Sequence, residues 1–207
     1  MEPRARTKRE LEIILQQLEE LRDPKPSLEQ CPTPANLAAA LIHMCYMMGD
    51  LEGKRIADLG CGNGVLAIGA LLYGASSAIG IDLDPEAIEV ARRNADRLGL
   101  LERARFLVMD VKDFSEEVDT VIQNPPFGSK RRHADTTFLD VALKKAKVVY
   151  SLHSAGNSEF LRKFALERGA ILTHVERWPF PLRRIFPHHR RRVVEIPVEI
   201  LRFEVIV

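Results

Sequence analysis

Residues 121–128 read VIQNPPFG, so a stretch typical of a β-strand ends on one asparagine, two prolines and a phenylalanine. Proline donates no backbone hydrogen bond, and strand pairing therefore stops here. The residue before each proline is restricted to extended conformations, which stiffens the stretch. The side-chain carbonyl of Asn124 and the backbone carbonyl of Pro125 would be held at the strand end, followed by Pro126 and the ring of Phe127.

Two fixed carbonyl acceptors beside an aromatic ring suit a flat group that carries an amine, such as a nucleobase. Acceptors aimed at both N–H bonds of the amine would draw its lone pair out of the ring, and methylation of that nitrogen needs this change. Phe127 could stack on the base, a contact worth about 1–3 kcal/mol. The simpler alternative is an ordinary turn that ends the strand.

A second stretch, DLGCGNG at 58–64, predicts a ligand-binding loop. Its glycines at 60, 62 and 64 tolerate positive φ angles and let the backbone approach a ligand closely. The spacing differs from the GxGxxG of dinucleotide-binding loops, and Asp58 would repel a pyrophosphate. The loop therefore suits a cationic cofactor without phosphate, one that carries an ammonium group and a sulfonium.

Two further acids could complete such a pocket. Asp82 ends the next predicted strand, where a carboxylate can accept both hydroxyls of a ribose. Asp110 ends the strand after that and could accept a hydrogen bond from an adenine amine, with the backbone N–H of Val111 offered to a ring nitrogen. The alternative for each acid is a helix cap or a surface charge, and Asp84 is interpreted only as a helix N-cap.

The elements that must position these residues alternate between helices and strands. The apolar pattern predicts helices over 7–22, 35–48, 65–73, 85–98, 137–147 and 158–168, and strands over 55–59, 78–81, 105–109, 118–122, 148–152 and 170–175, with a β-rich segment at 193–207. Such alternation indicates a mostly parallel sheet, whose ligands bind beyond the carboxyl ends of the strands. Asp58, Asp82, Asp110 and Asn124 lie at or near such ends and would face one crevice.

Composition limits the class of protein. The chain has 207 residues, 46% hydrophobic and 29% charged, which suits one soluble α/β domain. No apolar stretch reaches membrane-spanning length and the N-terminus lacks the apolar core of a signal peptide, so we expect a cytoplasmic protein. Three cysteines without a CxxC pair fit neither a disulfide framework nor a cysteine-based zinc site, and no metal site is expected.

The net charge of +1 gives no global signature of nucleic-acid binding, but basic residues cluster in two segments free of acids, 129–133 and 181–192. A charge run is most often a solvated face. Two such segments on one chain of near-neutral charge favour a local anionic partner. The candidate RNA contacts are Lys130, Arg131, Arg132, Arg190, Arg191 and Arg192.

The glycine loop and its acids resemble the class I S-adenosylmethionine-dependent methyltransferases, and NPPF resembles the NPP(F/Y) signature of enzymes that methylate amines. The chain as a whole looks like the methyltransferase-like 5 family of small-subunit rRNA adenine-N6 methyltransferases. The matching stretches are LEQCPTP (28–34), IADLGCGNGVLAIG (56–69), GIDLDPEAIE (80–89), DTVIQNPPFGSK (119–130) and VYSLH (149–153).

That resemblance implies an α/β, Rossmann-like class I methyltransferase fold, a seven-stranded mostly parallel sheet of order 3-2-1-4-5-7-6 with helices on both faces. It implies S-adenosylmethionine contacts from Gln30, Thr33, Gly60, Asn63, Val65, Asp82, Asp110 and Val111, beside Asp58 and Gly62 of the loop, and an adenine held by Asn124 to Phe127. It also implies two partners, small-subunit rRNA and a small zinc-binding methyltransferase activator protein. The apolar third strand, 105–109, would be an exposed edge on which the activator could add a strand.

We expect residues 1–207 to form a single methyltransferase domain, with 1–48 as a helical segment that closes over the cofactor and 49–207 as the Rossmann-like core. Other readings stay open. A protein-glutamine N5-methyltransferase acting on a release factor shares NPP chemistry, but it would more often carry tyrosine at the fourth position and a separate N-terminal substrate domain. Another nucleic-acid adenine-N6 methyltransferase, or an inactive scaffold with the same fold, would also retain parts of the pattern.

Overall fold

The computed structural model describes residues 5, 7–22, 24–126, 134–183 and 193–206, without the side chains of 26, 134, 182–183 and 193–194. Within these ranges a seven-stranded sheet has the order β3-β2-β1-β4-β5-β7-β6. The strands are β1 (Arg55–Leu59), β2 (Ser77–Asp82), β3 (Ala104–Val108), β4 (Val118–Gln123), β5 (Ala146–Ser154), β6 (Ala170–Arg183) and β7 (Val193–Val205). β1 to β5 run parallel, whereas β7 is antiparallel to β5 and β6. The predicted order and mostly parallel sheet are confirmed.

Helices cover both faces of the sheet, as predicted. They are α1 (Lys8–Leu15), α2 (Ala35–Met47), α3 (Val65–Leu72), α4 (Pro85–Arg97), α5 (Ala134–Lys145) and α6 (Ser158–Leu166). Strand side chains alternate between the faces, so Ile56 joins an apolar core with α1 to α4 while its neighbour Ala57 joins a second core with α5 and α6. None of the described helices is long and apolar enough to cross a membrane.

The first helix is shorter than predicted. The apolar period suggested a helix over 7–22, but α1 ends at Leu15. The backbone of Glu19 instead binds the side chain of Asn94 on α4, with Glu19 N–H donating to Asn94 Oδ1 at 2.8 Å and Glu19 O accepting from Asn94 Nδ2 at 3.1 Å. These tertiary hydrogen bonds need a non-helical backbone and outweigh the local period.

The last two strands form a ribbon that extends past the edge at which the parallel strands β1 to β5 end, here called the active edge. The pairing of β5 with β7 ends at Ser154 opposite Val198, whereas β6 and β7 remain paired from Pro179–Pro197 to Arg183–Val193. This overhang reaches roughly 15 Å beyond the end of β5. The prediction of a strand over 170–175 was therefore too short. β6 is an edge strand, where prolines are tolerated, so it continues through its prolines to Arg183.

Candidate active site

The glycine loop that follows β1 is tightly enclosed. Gly60, Gly62 and Gly64 have φ angles of 73°, 53° and 83°, a region that favours glycine. A Cβ atom on Gly64 would lie 3.1 Å from the Cβ of Ala91 on α4, and one on Gly60 would lie 3.1 Å from the ring of Phe138 on α5. A side chain at Gly60 or Gly64 would crowd these neighbours, whereas a Cβ atom at Gly62 would meet nothing within 4 Å and only its φ angle favours glycine there.

Asp58 lies beneath this loop with one unpaired oxygen. Its Oδ2 accepts a hydrogen bond from the Ala67 N–H on α3 at 3.0 Å. Its Oδ1 is buried and has no hydrogen-bond partner among the described residues. Burial raises the pKa of Asp58 from its ordinary 3.8 to about 7. A buried carboxylate oxygen without a partner suits a cationic ligand, which would supply the missing contact.

Asp82 lies at the end of β2 and faces the glycine loop. Its Oδ2 accepts from the Gly62 N–H at 2.9 Å, and its Oδ1 accepts from the Asp84 N–H at 2.9 Å. Burial raises the pKa of Asp82, although these backbone hydrogen bonds oppose the shift. Each carboxylate oxygen retains a lone pair, so the side chain can still accept hydroxyl groups of a ligand.

Asp110 and Val111 follow β3 and begin a 3₁₀ turn, Val111–Asp113. Asp110 Oδ1 accepts from the Lys112 N–H at 3.0 Å, and Val111 is buried. A backbone hydrogen bond of 2.9 Å from Met109 N–H to Asp82 O holds this strand end beside β2. The two residues lie on the strand next to Asp82 but outside the lining of the cavity described next.

A cavity of about 90 Å³ lies where the predicted residues meet. Ten of them line it: Gln30, Thr33, Asp58, Gly60, Gly62, Asn63, Val65, Asp82, Asn124 and Pro126. A larger opening of about 460 Å³ is lined by Glu19, Arg22, Glu86, Val90 and Arg93. Since that opening contains neither the glycine loop nor the strand-end acids, the smaller cavity is the better candidate site.

Residues 19–22 and 24–33, here called the strap, supply one wall of this cavity. The Lys25 ammonium lies 2.6 Å from Asp84 Oδ1, and Gln30 Nε2 donates to Asp84 Oδ2 at 2.9 Å. Gln30 Oε1 accepts from the Lys25 N–H at 2.7 Å, so both ends of the Gln30 amide are engaged. Asn63 Nδ2 donates to Glu19 O at 3.1 Å and ties the strap to the glycine loop.

Asn124 joins the strap to the end of β4 through only one end of its amide. Its Nδ2 donates to Cys31 O and to Thr33 Oγ1, each at 3.0 Å. A carbonyl oxygen accepts and cannot donate, so the contact with Cys31 O fixes which end of the amide faces the strap. Asn124 Oδ1 is buried and has no partner among the described residues. This oxygen can accept a hydrogen bond, and its predicted role toward a substrate amine stays a prediction.

Several predicted site residues lie outside the described residues or outside the lining of the cavity. Phe127, the basic residues 130–132 and the arginines 190–192 lie outside the described residues. Pro125 is buried, and its side chain does not contribute to the lining of the cavity. The roles of these residues stay predictions.

Seven residues that line the cavity were not predicted as site residues: Leu21, Glu29, Cys31, Pro32, Cys61, Leu66 and Phe138. Asp84 caps α4 as predicted, since it accepts from the Glu86 N–H at 3.1 Å, but it also anchors the strap through Lys25 and Gln30. The hydrogen bonds of Lys25 and Gln30 hold the pKa of Asp84 below its ordinary value despite the opposing effect of burial. Phe138 on α5 lines the cavity, and no sequence pattern singles it out.

Comparison with known proteins decides the family. The chain is 38% identical over 204 residues to the rRNA N(6)-adenosine-methyltransferase Mettl5 of Drosophila melanogaster, with 95% of this chain and 96% of that protein covered. It is 33% identical over 201 residues to the rRNA N(6)-adenosine-methyltransferase METTL5 of Danio rerio, with 94% and 97% covered.

The chain belongs to the METTL5 family.

Other comparisons agree with this family. The crystal structure of a candidate RNA methyltransferase from Pyrococcus horikoshii shares 40% identity and a TM-score of 0.91, and the match covers 98% of this chain and 100% of that one. The family model of ribosomal protein L11 methyltransferase (PrmA) matches residues 39–125. That match spans the glycine loop and its acids but stops within the NPPF stretch. The METTL5-family relatives match 94–95% of the chain. The class I methyltransferase fold is thus confirmed.

Proposed function

We propose that this METTL5-family protein uses S-adenosylmethionine to methylate N6 of an adenosine in small-subunit rRNA. One observation carries the proposal. Asn124 is locked to the strap by its amide nitrogen, which leaves its carbonyl oxygen buried and unpaired at the cavity that also contains the unpaired oxygen of Asp58. An acceptor for an amine and an anion for a cationic cofactor therefore border the same space. A cytoplasmic location suits such a substrate.

The residues present fit the cofactor. The unpaired Asp58 oxygen would face its positive charge, and Asp82 would accept its ribose hydroxyls. Asp110 and the Val111 N–H would meet its adenine, while Gln30, Thr33, Gly60, Gly62, Asn63 and Val65 would surround the rest. When bound, S-adenosylmethionine supplies an electrophilic methyl group.

The chain's own residues would hold and orient the target amine. Asn124 Oδ1 and the Pro125 carbonyl would accept its two N–H bonds, which directs the nitrogen lone pair toward the methyl group. Phe127 would stack on the adenine with Pro126 beside it. Because the Asn124 amide is already fixed by two hydrogen bonds, little reorganisation would be needed when the base arrives.

Residues 1–48 would close over the cofactor as one part of a single methyltransferase domain, with 49–207 as the core. The strap supports this role, since it reaches from Asn63 of the glycine loop to Asn124 of β4. Pockets for ligands of this size are typically about 300 Å³ or more, and this cavity is about 90 Å³, so we expect the strap to shift when S-adenosylmethionine enters.

RNA would be held by Lys130, Arg131, Arg132, Arg190, Arg191 and Arg192. Residues 184–192 connect the ends of β6 and β7, whose paired overhang extends past the active edge. The flanking RNA around a flipped or unpaired adenosine would approach from that side.

A small zinc-binding methyltransferase activator protein would add a strand to β3. This strand is an edge of the sheet, and the Val108 side chain on it is exposed. The backbone groups of odd-numbered residues along β3 form the hydrogen bonds to β2, as Met109 N–H does with Asp82 O. The N–H of Val108, an even-numbered residue, therefore points away from β2. Arg92 Nη2 already donates to Phe106 O on this side at 2.7 Å, so an added strand would use the Val108 N–H and displace or pass beside this contact.

The proposal is tested by mass spectrometry of nucleosides after the protein, its activator and labelled S-adenosylmethionine are incubated with unmodified small-subunit rRNA. We expect labelled N6-methyladenosine that disappears with Asn124→Ala. Label in a glutamine of a release factor, and none in RNA, would assign the protein-methylating alternative instead. Label in neither substrate would contradict the proposed function.

A further inference from the structure

Asn94 on α4 has no part in the mechanism above, yet its side chain bonds to two parts of the candidate site at once. It is 0% exposed. Its Nδ2 donates to Glu19 O in the strap at 3.1 Å and to Asn63 O in the glycine loop at 3.0 Å, and its Oδ1 accepts from the Glu19 N–H at 2.8 Å. Since an amide nitrogen carries two hydrogens, both donors are engaged. Asn94 therefore joins the strap to the loop.

Other contacts tighten this junction. Asn63 Nδ2 donates to the same Glu19 O at 3.1 Å, so this carbonyl accepts from two asparagines. Ala91 lies one helical turn before Asn94, and its Cβ would be 3.1 Å from a Cβ atom on Gly64, so this face of α4 packs directly against the loop. The strap cannot move away at Glu19 without breaking contacts to the loop and the helix together.

The other end of the strap reaches the predicted acceptor for the target amine. Cys31 O and Thr33 Oγ1 each accept from Asn124 Nδ2 at 3.0 Å. Glu19 is the first residue of the strap and Thr33 the last, so the same segment contacts the glycine loop at one end and Asn124 at the other. The strap thus connects the loop at which we expect the cofactor to bind with the side chain that would hold the amine.

We propose that Asn94 is a positioning residue that couples the glycine loop to the strap, so that a cofactor bound at the loop also holds the strap that fixes Asn124. The inference rests on the proposed function, because it makes cofactor binding favour binding of the target adenosine. The simpler alternative is that Asn94 only satisfies buried backbone groups, as most buried polar side chains do. The two roles differ in whether Asn94 changes the dependence of one binding site on the other.

The coupling is tested by measuring the affinity for small-subunit rRNA with and without S-adenosylhomocysteine, which lacks the methyl group and cannot react. In the wild-type protein we expect this ligand to raise the rRNA affinity about 10-fold, within the usual range of coupling between two sites. Asn94→Ala should reduce the factor to less than about 3-fold. A purely structural loss would weaken either affinity but leave their mutual dependence unchanged.

Two variants serve as controls. Arg93→Met removes the ion pair of Arg93 Nη2 with Glu19 Oε1 at 2.8 Å, which also joins the strap to α4 but does not involve the glycine loop. Thr120→Val removes a buried hydroxyl that donates to Asp50 O at 2.7 Å, nearer the amino end of β4 and away from the cavity. Both variants should retain the wild-type factor.

Hydrogen exchange of strap amides, measured by NMR, gives a readout that needs no RNA. The Glu19 N–H is held by Asn94 Oδ1, and the Lys25 N–H is held by Gln30 Oε1 at 2.7 Å. With S-adenosylhomocysteine at about 100 times its Kd, both wild-type amides should gain protection by the same factor, up to about 100-fold, because strap and loop open together. In Asn94→Ala without ligand, the Lys25 amide should exchange about 10-fold faster although its own acceptor is retained.

An equal coupling factor in Asn94→Ala and in the wild-type protein, or a wild-type factor near 1, would overturn the proposal. Should Asn94→Ala fail to fold, the wild-type exchange decides, and protection gained by Lys25 alone would overturn it. If rRNA is neither bound nor methylated, the proposed function fails, while the exchange of Lys25 in Asn94→Ala still tests whether Asn94 holds the strap.

Discussion

At the scale of single residues, Asn124 is the most informative position, because one end of its amide is engaged and the other is free. Asn124→Ala should lower the single-turnover methylation rate by about 100- to 1,000-fold, as loss of one preorganised polar contact does in other enzymes. Because Asn124 also ties the strap to β4, calorimetry should show a loss of S-adenosylmethionine affinity as well, but a smaller one of up to about 10-fold. Asn157→Ala, at an exposed asparagine whose side chain caps nothing, is the control and should leave both values unchanged.

Asp58 should make cofactor binding depend on pH. With its pKa raised to about 7, the apo protein binds a proton that the unfolded chain has already lost, so its stability falls as pH rises from about 4 to 7. A cationic cofactor favours the ionised carboxylate, so its affinity should rise over the same range. Between pH 5 and pH 7 we expect a gain of up to about 50-fold, measured by calorimetry. Asp58→Asn should flatten the profile, and an unchanged slope would contradict this role.

At the scale of elements, the strap should control cofactor exchange. Lys25→Met removes an ion pair between an exposed ammonium group and the buried carboxylate of Asp84, while Gln30 Nε2 and the Glu86 N–H still donate to that carboxylate. Stopped-flow binding should therefore show faster association and faster release of S-adenosylmethionine, by up to about 5-fold each. Lys147→Met, which removes an exposed ion pair with Asp119 elsewhere on the sheet, should change neither rate.

The open edge of β3 gives a second prediction at this scale. Val108→Pro removes a backbone donor that faces away from β2, so the sheet should survive while an added strand loses a hydrogen bond. We expect binding of the activator to weaken by at least about 10-fold in a pull-down or calorimetric assay. Val108→Thr keeps the donor and should bind normally. Normal binding of the proline variant would place the activator on another surface.

At the scale of the whole molecule, RNA affinity should depend on the basic segment joined to the β6–β7 overhang. Reversing Arg190, Arg191 and Arg192 to glutamate should weaken rRNA binding and reduce its dependence on salt, with the log–log slope falling by about 0.9 for each lost phosphate contact. The matched control reverses Lys144, Lys145 and Lys147, which lie near the amino end of β5, opposite the active edge. Equal losses in both variants would indicate nonspecific charge effects.

The sequence predicted a mostly parallel sheet because its predicted strands and helices alternate regularly along the chain. The rule that polar groups at the carboxyl ends of parallel strands meet predicted three cavity-lining residues, Asp58, Asp82 and Asn124, but Asp110, predicted by the same rule, lies outside the lining. The resemblance to the family, rather than the strand pattern, supplied Gln30, Thr33, Asn63 and Val65.

The sequence pattern missed the early end of α1 because the hydrogen bonds of Glu19 with Asn94 are tertiary. The second role of Asp84 and the position of Phe138 were missed for the same reason, as both depend on contacts distant in the chain.

The hydrogen bond from Asn124 to Cys31 has a consequence for biosynthesis. Its two residues are 93 positions apart, and the ion pair of Arg202 with Asp50, which ties β7 to the segment before β1, spans 152 positions. Contacts of such long range form late, since the intervening chain must be present first. The strap leaves the ribosome early but can complete the site only after β4 has followed. A nascent chain that has not yet reached β4 therefore lacks a complete site.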